Sequence, residues 1–194
     1  GGGVSGLDLL PSSLDLIDIQ DQLINISSRG ILSDRPLTIL GETVAEKLND
    51  YDVVLIDCPP NLGLITQNGL VLSQYYIIPV IPDVLSTYGI PQIVNRIQRL
   101  KRETGINLEP LGLVINKYRQ QNSLHPNQLR ILRLGAKKAG YRRVFATIIP
   151  ENSKAAAAMD FSLNPANLHE KYGYDAPYKQ YQQFTQEVLA YVSR

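Results

Sequence analysis

The stretch YDVVLIDCPPNLGLITQNGL, from Tyr51 to Leu70, constrains the fold more than any other part of these 194 residues. Its apolar run Val53–Ile56 ends at a carboxylate, Asp57, and two prolines follow directly after Cys58. A short apolar run that stops at a turn predicts a parallel strand buried on both faces. Asp57 would then lie at the carboxyl end of that strand.

The predicted position of Asp57 suggests a binding site. Open α/β sheets bind their ligands in the crevice outside the carboxyl ends of the strands. A carboxylate at that place can reach a magnesium ion, directly or through water, beside nucleotide phosphates. Asp57 is therefore a candidate magnesium ligand. The alternative is that Asp57 only caps a turn, because aspartate is common where a strand ends.

A longer motif surrounds this aspartate. Asp57-Cys58-Pro59-Pro60, followed by Asn61-Leu62-Gly63-Leu64-Ile65-Thr66 and Asn68, resembles the Walker B region and the switch of the ParA/Soj/MinD-type partition ATPases. Four further segments resemble family strands in the family's order: Gly6–Ser12 ("GLDLLPS"), Ile77–Pro82 ("VLIPV"), Gly112–Tyr118 ("GVLLTMY") and Val144–Asn152 ("VFKTVIPRN"). The resemblance therefore extends along most of the chain.

The fold that this resemblance implies is α/β, with a mostly parallel twisted sheet flanked by helices on both faces, as in P-loop NTPases. It implies one ATPase domain over residues 1–194. The spacing of apolar residues predicts helices that alternate with these strands, over 15–31, 37–48, 88–103, 126–139 and 176–192. In the last helix we expect an apolar stripe to dock onto the sheet, formed by Tyr181, Phe184, Val188 and Tyr191.

Two motifs of the family do not occur in these residues, the phosphate-binding loop KGGxGKT and the DxDPQ motif. Gly1–Gly6 is rich in glycine, but it has no lysine and no strand before it. The resemblance thus covers the part of a family member that follows both motifs, without its N-terminal strand and P-loop. We expect this chain to need a partner strand or a second copy of itself to close its sheet. The alternative is a rearranged sheet that closes the gap.

Charge is distributed unequally along the chain. Residues 1–95 carry 3 basic and 11 acidic side chains, a net charge of −8, whereas residues 96–194 carry 16 and 7, a net charge of +9. Twelve basic residues but only two acidic ones, Glu103 and Glu109, lie within 96–143. This asymmetry predicts an anionic partner, and the alternative is an ordinary solvated helix face. The candidate contacts are Arg96, Arg99, Lys101, Arg102, Arg130, Arg133, Lys137, Lys138, Arg142 and Arg143.

Cysteine and histidine usage excludes several site classes. A lone cysteine, Cys58, cannot form an internal disulfide, and a place in the core suits it better than a nucleophilic role. His125 and His169 do not have the spacing of metal ligands. No apolar stretch reaches membrane length, so we expect a cytoplasmic protein with no membrane association.

The resemblance also implies a function. ParA-type proteins dimerise with ATP, bind DNA without sequence preference, and move or space plasmids, chromosomes or other cargo with a ParB-like or cargo adaptor protein. By that resemblance, Asp57 helps to hold Mg²⁺, and the switch consists of Pro59, Pro60 and Asn61. Asn116, Pro150 and Glu151 frame the base of ATP or ADP, and Lys154 joins the DNA contacts.

Alternatives accompany some of these assignments. Asn116 could simply form a turn at a strand end, and Glu151 places a negative charge where relatives more often have arginine. ATP hydrolysis is expected of the intact family member, associated with the nucleoid, and not of these residues alone. The alternative function is a non-hydrolysing module of the same fold that binds DNA or a partner.

Overall fold

The structure, a computed structural model, describes residues 6–12, 36–152 and 176–192. The predicted helix over 15–31 and Lys154 lie outside these residues. The chain divides into two compact units. We call residues 1–74 and 98–108 the helical unit, and residues 75–97 and 109–194 the sheet unit. The expectation of one ATPase domain over 1–194 stays a prediction.

The helical unit contains α1 (Ile39–Leu48) and α2 (Leu64–Leu72). The buried side chain of Asn68 joins them, since its Oδ1 accepts the N–H of Leu40 (3.2 Å) and its Nδ2 donates to the carbonyl of Pro36 (2.9 Å). α1 ends at Leu48, as the sequence predicts, and Asn49 is its C-cap residue. A buried amide whose partners are all backbone groups fixes how α1 and α2 meet.

The sheet unit is built on three parallel strands, β1 (Tyr75–Val80), β2 (Glu109–Tyr118) and β3 (Val144–Pro150), in the order β1-β2-β3. Each lies within a few residues of its predicted range. β2 has a partner on both sides, and its residues 111–115 are all buried. The predicted α/β fold with a parallel sheet is confirmed.

Helices cover both faces of this sheet. On one face, α3 (Val84–Thr104) and α4 (Leu124–Ala139) pack against alternate strand residues such as Leu113 and Ile115. On the other face, α5 (Ala176–Val192) packs against Phe145 and Ile149. The predicted docking stripe of α5 makes this contact through Phe184, Val188 and Tyr191, whereas Tyr181 is exposed and is not part of the cluster.

The ends of α3 and α4 have local causes. The carboxylate of Asp83 accepts the N–H of Ser86 (2.6 Å), which caps the first turn of α3. α3 therefore begins four residues before the predicted position 88 and carries Pro91 within its length. α4 ends because Gly140 adopts a left-handed conformation, with φ of 79°, and donates its N–H to Ala136.

Two predicted strands are wrong. Residues 6–12 are exposed and form no strand, and the hydroxyl of Tyr51 donates to the carboxylate of Asp8 at 2.8 Å. Residues 53–57 form no strand either, and Leu55 is 90% exposed. An apolar run becomes a strand only where another strand satisfies its backbone groups, and no described residue pairs with these in a ladder.

A β-bulge interrupts β2 near its start. Tyr76 pairs with Pro110 and Ile77 pairs with Gly112, so Leu111 is an extra residue on β2. Gly112 has φ of 149°, and a Cβ there would lie 2.7 Å from the carbonyl oxygen of Arg143. Only glycine fits this backbone conformation and this close approach to the start of β3.

Candidate functional site

The carboxyl ends of β2 and β3 lie side by side, because parallel strands end at the same edge of a sheet. Tyr118 pairs with Pro150, and the N–H of Glu151 donates to the carbonyl of Tyr118 at 3.0 Å. This register brings together three residues that the sequence assigned to the nucleotide base, Asn116, Pro150 and Glu151. All three belong to the sheet unit.

An ion pair joins the ends of these strands. The guanidinium of Arg119 meets the carboxylate of Glu151 in a two-pronged contact, with Nη2 at 2.7 Å from Oε1 and Nε paired with Oε2. Hydrogen bonding from Arg119 holds the pKa of Glu151 below its usual value, and the same bond raises the pKa of Arg119. The negative charge that Glu151 adds to this segment is therefore balanced.

Sequence reasoning missed the role of Arg119. It counted this residue among twelve cations without singling it out, because the partner lies 32 positions further along the chain. The only available signal was that Arg119 follows directly after one predicted strand segment and Glu151 lies near the end of the next. In a parallel sheet, two such residues on neighbouring strands come close together.

A buried histidine holds the segment that follows β2. The Nδ1 atom of His125 accepts the N–H of Arg119 at 3.0 Å, and its ring lies 5.6 Å from the ring of Tyr118. The ring of His125 is therefore a structural support at the start of α4. The spacing of His125 in the sequence bears only on metal binding. It gives no sign of the hydrogen bond from the N–H of Arg119.

Asn116 is half-buried near the end of β2, and its Oδ1 accepts the N–H of Lys117 at 2.8 Å. Lys117 has φ of 50°, an unusual backbone conformation within the strand, and β2 continues to Tyr118. The role of Asn116 stays a prediction. Its contact with Lys117 uses the side-chain oxygen, and the amide nitrogen of Asn116 stays available as a donor.

Asp57 and the predicted switch residues belong to the helical unit. Asp57, Pro59, Pro60 and Asn61 are all exposed. The side-chain oxygen of Asn61 accepts the N–H of Gly63 (3.0 Å), which shapes the turn into α2. The carboxylate of Asp57 is thus presented on an exposed turn, where a cation could reach it.

Cys58 is half-buried beside this turn. A Cβ at Gly69 would lie 3.2 Å from its sulfur and 3.1 Å from Ile56, so the absent side chain lets residues 56–58 pack closely on α2. Burial, followed by the charge of Asp57, raises the pKa of the Cys58 thiol. A protonated, packed thiol agrees with a place in the core rather than a nucleophilic role.

The predicted cationic residues fall into two sets. Those of α4 are exposed, and they are Arg130, Arg133, Lys137 and Lys138. We call these four residues the α4 cationic face. The other set lies in the second half of α3, where Arg96, Arg99 and Arg102 are exposed and Lys101 is half-buried. α4 contains no acidic residue, so no carboxylate within the helix offsets its charge.

The two arginines that follow α4 lie in different environments. Arg142 is exposed and has φ of 62°. The guanidinium carbon of Arg143 lies 3.6 Å from the centre of the Tyr191 ring, a cation–π contact with α5. Arg143 therefore holds α5 against β3.

Comparison with known proteins places the chain in a family. A family model described as an AAA domain matches residues 3–110. Soj of Bacillus subtilis is 28% identical over 80% of this chain, and the chromosome partitioning protein ParA of Caulobacter vibrioides is 28% identical over 85%. The chain belongs to the ParA/Soj/MinD-type ATPases. The matched stretch covers 57% of Soj and 58% of ParA, so the chain spans little more than half the length of these ParA-type relatives.

Solved structures with a fold similar to that of this chain are also known. Cobyrinic acid a,c-diamide synthase from Mycobacterium smegmatis, with a bound ATP analogue and magnesium, has a TM-score of 0.69 and 25% identity. The match covers 93% of this chain and 62% of the synthase chain. The same synthase with ADP and magnesium has a TM-score of 0.60 at 28% identity. The synthase therefore binds nucleotide and magnesium on a fold similar to that of this chain.

The two units of this ParA-type chain offer different groups. In the sheet unit, the ends of β2 and β3 offer an amide and a balanced ion pair, and in the helical unit Asp57 offers one carboxylate. No group of three or more His, Cys, Asp or Glu side chains that could hold a metal occurs in residues 6–12, 36–152 and 176–192. The phosphate-binding loop does not occur in the sequence. Over the same ranges, no helix is long and apolar enough to cross a membrane.

Proposed function

We propose that this chain is the DNA-binding and base-binding part of a ParA-type ATPase that acts in plasmid or chromosome partition, or in positioning another cargo. ATP-dependent dimerisation would couple nucleotide state to non-specific DNA binding. A ParB-like or cargo adaptor protein would connect it to the cargo, and the complex would work at the nucleoid in the cytoplasm. The observation that carries this proposal is the α4 cationic face.

The charge of this face suits phosphates. Four exposed cations lie within nine residues of one helix that has no acid. Arg130 and Lys137 are seven residues apart, two helical turns, and Arg133 lies between them on the same side. Such a row matches a repeating line of phosphates and needs no base contacts, which is how sequence-independent binding arises.

Arg96 and Arg142, which belong to the same unit as α4, would extend the contact. Arg99, Lys101 and Arg102 belong to the helical unit and stay separate candidates for DNA binding. Lys154 remains in the proposal on family resemblance alone. Arg143 does not, because its guanidinium already stacks on Tyr191.

For the nucleotide, we assign the base to Asn116, Pro150 and Glu151. The amide of Asn116 can donate to a ring nitrogen of adenine, and Pro150 offers an apolar surface. The pairing of Glu151 with Arg119 supports this role, since it removes a net negative charge from beside the base. Asp57 would help to hold Mg²⁺, with Pro59, Pro60 and Asn61 as the switch that follows it.

Charge reversal on α4 tests the DNA-binding proposal. The double variant Arg133→Glu/Lys137→Glu should bind a random-sequence DNA duplex about tenfold or more weakly at moderate salt. Its slope of log affinity against log salt should become shallower by roughly 0.9 for each lost phosphate contact. Fluorescence anisotropy at several salt concentrations measures both quantities.

The matched control is Lys47→Glu/Lys179→Glu. Both residues are exposed, lie outside the α4 cationic face, and give the same change in net charge. We expect the control to bind DNA almost as the wild type does. Equal weakening in both doubles would show that total charge matters and not this face, and it would remove the main support for the proposal.

The second candidate function is a module that binds DNA or a partner without hydrolysing ATP. This function would use the same α4 cationic face and would need no phosphate-binding loop. Magnesium-dependent calorimetric titration of the complete protein with ATP separates the two functions. In the ATPase, Asp57→Ala should abolish magnesium-dependent binding and turnover, whereas Asp52→Ala, an exposed acid five residues earlier, should not. A complete protein that does not bind ATP would be the non-hydrolysing module.

A further inference from the structure

An apolar groove of about 290 Å³ lies between α3 and α4 in the sheet unit. Thr87 and Pro91 form its α3 wall, and Ile131, Gly135 and Lys138 form its α4 wall. Tyr141 contributes to its floor. Its volume is at the small end of the range for ligand sites, so it suits a few side chains rather than a large ligand.

Gly135 keeps this groove open. A Cβ at this position would have the hydroxyl of Tyr141, at 3.5 Å, as its closest neighbour, which is an ordinary contact. That hydroxyl already donates to the carbonyl of Leu132, so its hydrogen is not available to a ligand. A large apolar side chain could therefore enter above Gly135 without leaving a buried donor unsatisfied.

Large apolar side chains are exposed on both helices beside the groove. Leu134 on α4 is 75% exposed, one turn from both Ile131 and Lys138. Tyr88 on α3 is 74% exposed and lies between Thr87 and Pro91 in the sequence. Exposed apolar groups clustered around a groove mark an interaction surface on a soluble protein.

A cationic side chain, that of Lys138, lines the groove. Arg130, Arg133 and Lys137 lie on the same helix, but helical spacing places them on a different side of α4 from Ile131, Gly135 and Lys138. No acidic residue occurs in α4 or between Val84 and Arg102 of α3. A partner that places negative charge at the rim would therefore be attracted, and a basic partner would be repelled.

We propose that this groove binds an acidic amphipathic segment of a partner protein. One large apolar side chain of the segment would sit over Gly135, and a carboxylate would face Lys138. DNA does not suit the groove itself, because phosphates bind cations and gain nothing from an apolar cavity. The groove shares Lys138 with the α4 cationic face, and a variant that fills the groove at Gly135 without changing any charge separates the two proposals.

Peptide selection tests the proposal. A display library of random peptides of about 16 residues, long enough for four helical turns, is selected on the protein. The recovered peptides are then titrated against variants by fluorescence anisotropy. We expect them to combine acidic residues with apolar residues at helical spacing. They should bind Gly135→Leu, which fills the groove without changing charge, about tenfold more weakly.

Two further variants complete the design. Lys138→Glu should weaken the same peptides about fivefold, and added salt should remove most of that difference. Gly89→Leu is the matched control, since Gly89 is also a helical glycine with nothing within 4 Å, on the side of α3 away from Thr87 and Pro91. It should leave binding within about twofold of the wild type.

Several results would overturn the proposal. These are a selection that yields no peptide, peptides without acidic residues, and equal binding to Gly135→Leu and the wild type. Self-association of the wild type that disappears in Gly135→Leu would assign the groove to a second copy of this chain. Loss of random-duplex binding in that variant, with peptide binding unchanged, would assign it to DNA.

Discussion

Two short apolar runs of this chain have similar sequences and opposite environments. In residues 53–56, Val53, Val54 and Leu55 are 56%, 45% and 90% exposed. In β2, Leu113, Val114 and Ile115 are 0%, 7% and 0% exposed. β2 lies between two parallel partners, whereas no described strand pairs with 53–56. An apolar run therefore favours burial, but it is buried as a strand only where a neighbouring strand pairs with it.

The largest expected effect comes from truncating one leucine in each run. Leu113→Ala should lower the free energy of unfolding by about 2–5 kcal/mol, because it leaves a cavity in a packed core. Leu55→Ala should change it by less than about 0.5 kcal/mol, because the side chain is already in water. Urea unfolding followed by circular dichroism measures both. Equal losses would mean that residues 53–56 are buried in solution, and the contrast would disappear.

A smaller effect is expected at the edge of the sheet. Among the strands that the structure describes, β3 pairs on one side only. On α5 the carboxylate of Glu187 accepts the N–H groups of Ala146 (2.7 Å) and Thr147 (3.0 Å). Glu187→Ala should cost about 1.5–3 kcal/mol in the same unfolding experiment, because it removes hydrogen bonds to a charged group. Gln183→Ala, an exposed change on the same helix, is the control and should cost little.

The edge of β3 extends the comparison between residues 53–56 and β2. Here the side chain of Glu187 accepts backbone N–H groups that a neighbouring strand would otherwise bind. Residues 53–57 have no such carboxylate among the described contacts. If Glu187→Ala were no more costly than Gln183→Ala, the edge of β3 would not depend on its side-chain cap.

The smallest effect concerns the ion pair at the ends of β2 and β3. The folded-state pKa of Glu151 is below the ordinary value of 4.5 because of Arg119. The stabilisation from this pair is therefore complete above that value and is lost as the pH falls through the lowered pKa. Glu151→Gln should be slightly less stable than the wild type at neutral pH, and the difference should vanish in acid. A difference that stays constant with pH would show that the charge of Glu151 contributes nothing.

Much of the sheet unit could be predicted from sequence. The apolar runs of β1, β2 and β3 and the helical spacing of α4 and α5 placed these elements within a few residues, because each signal is local. The predicted start of α3 was four residues too late. Tyr88–Glu103 has clear helical spacing, and the cap at Asp83 that starts the helix earlier depends on one side-chain contact.

The errors and omissions have a common cause, since each depends on residues far apart in the sequence. The run before Asp57 carries the same apolar signal as β2, and nothing within it reports whether another strand will pair with it. The Arg119–Glu151 pair depends on which strands are neighbours. The stacking of Arg143 on Tyr191 depends on where α5 packs, so nothing in the sequence indicated that this predicted DNA contact also packs on α5.

The bulge at Leu111 has a consequence for how this strand tolerates changes in length. Gly112 follows the extra residue and starts the regular pairing again, so deleting Leu111 would leave Gly112 opposite Ile77 and every later residue of β2 on its present face. Deleting Val114 would instead turn Ile115 and all that follows to the opposite face. Related chains that differ in length within this strand should therefore differ at the bulge, where one residue can be lost or gained while the helices on both faces keep their contacts.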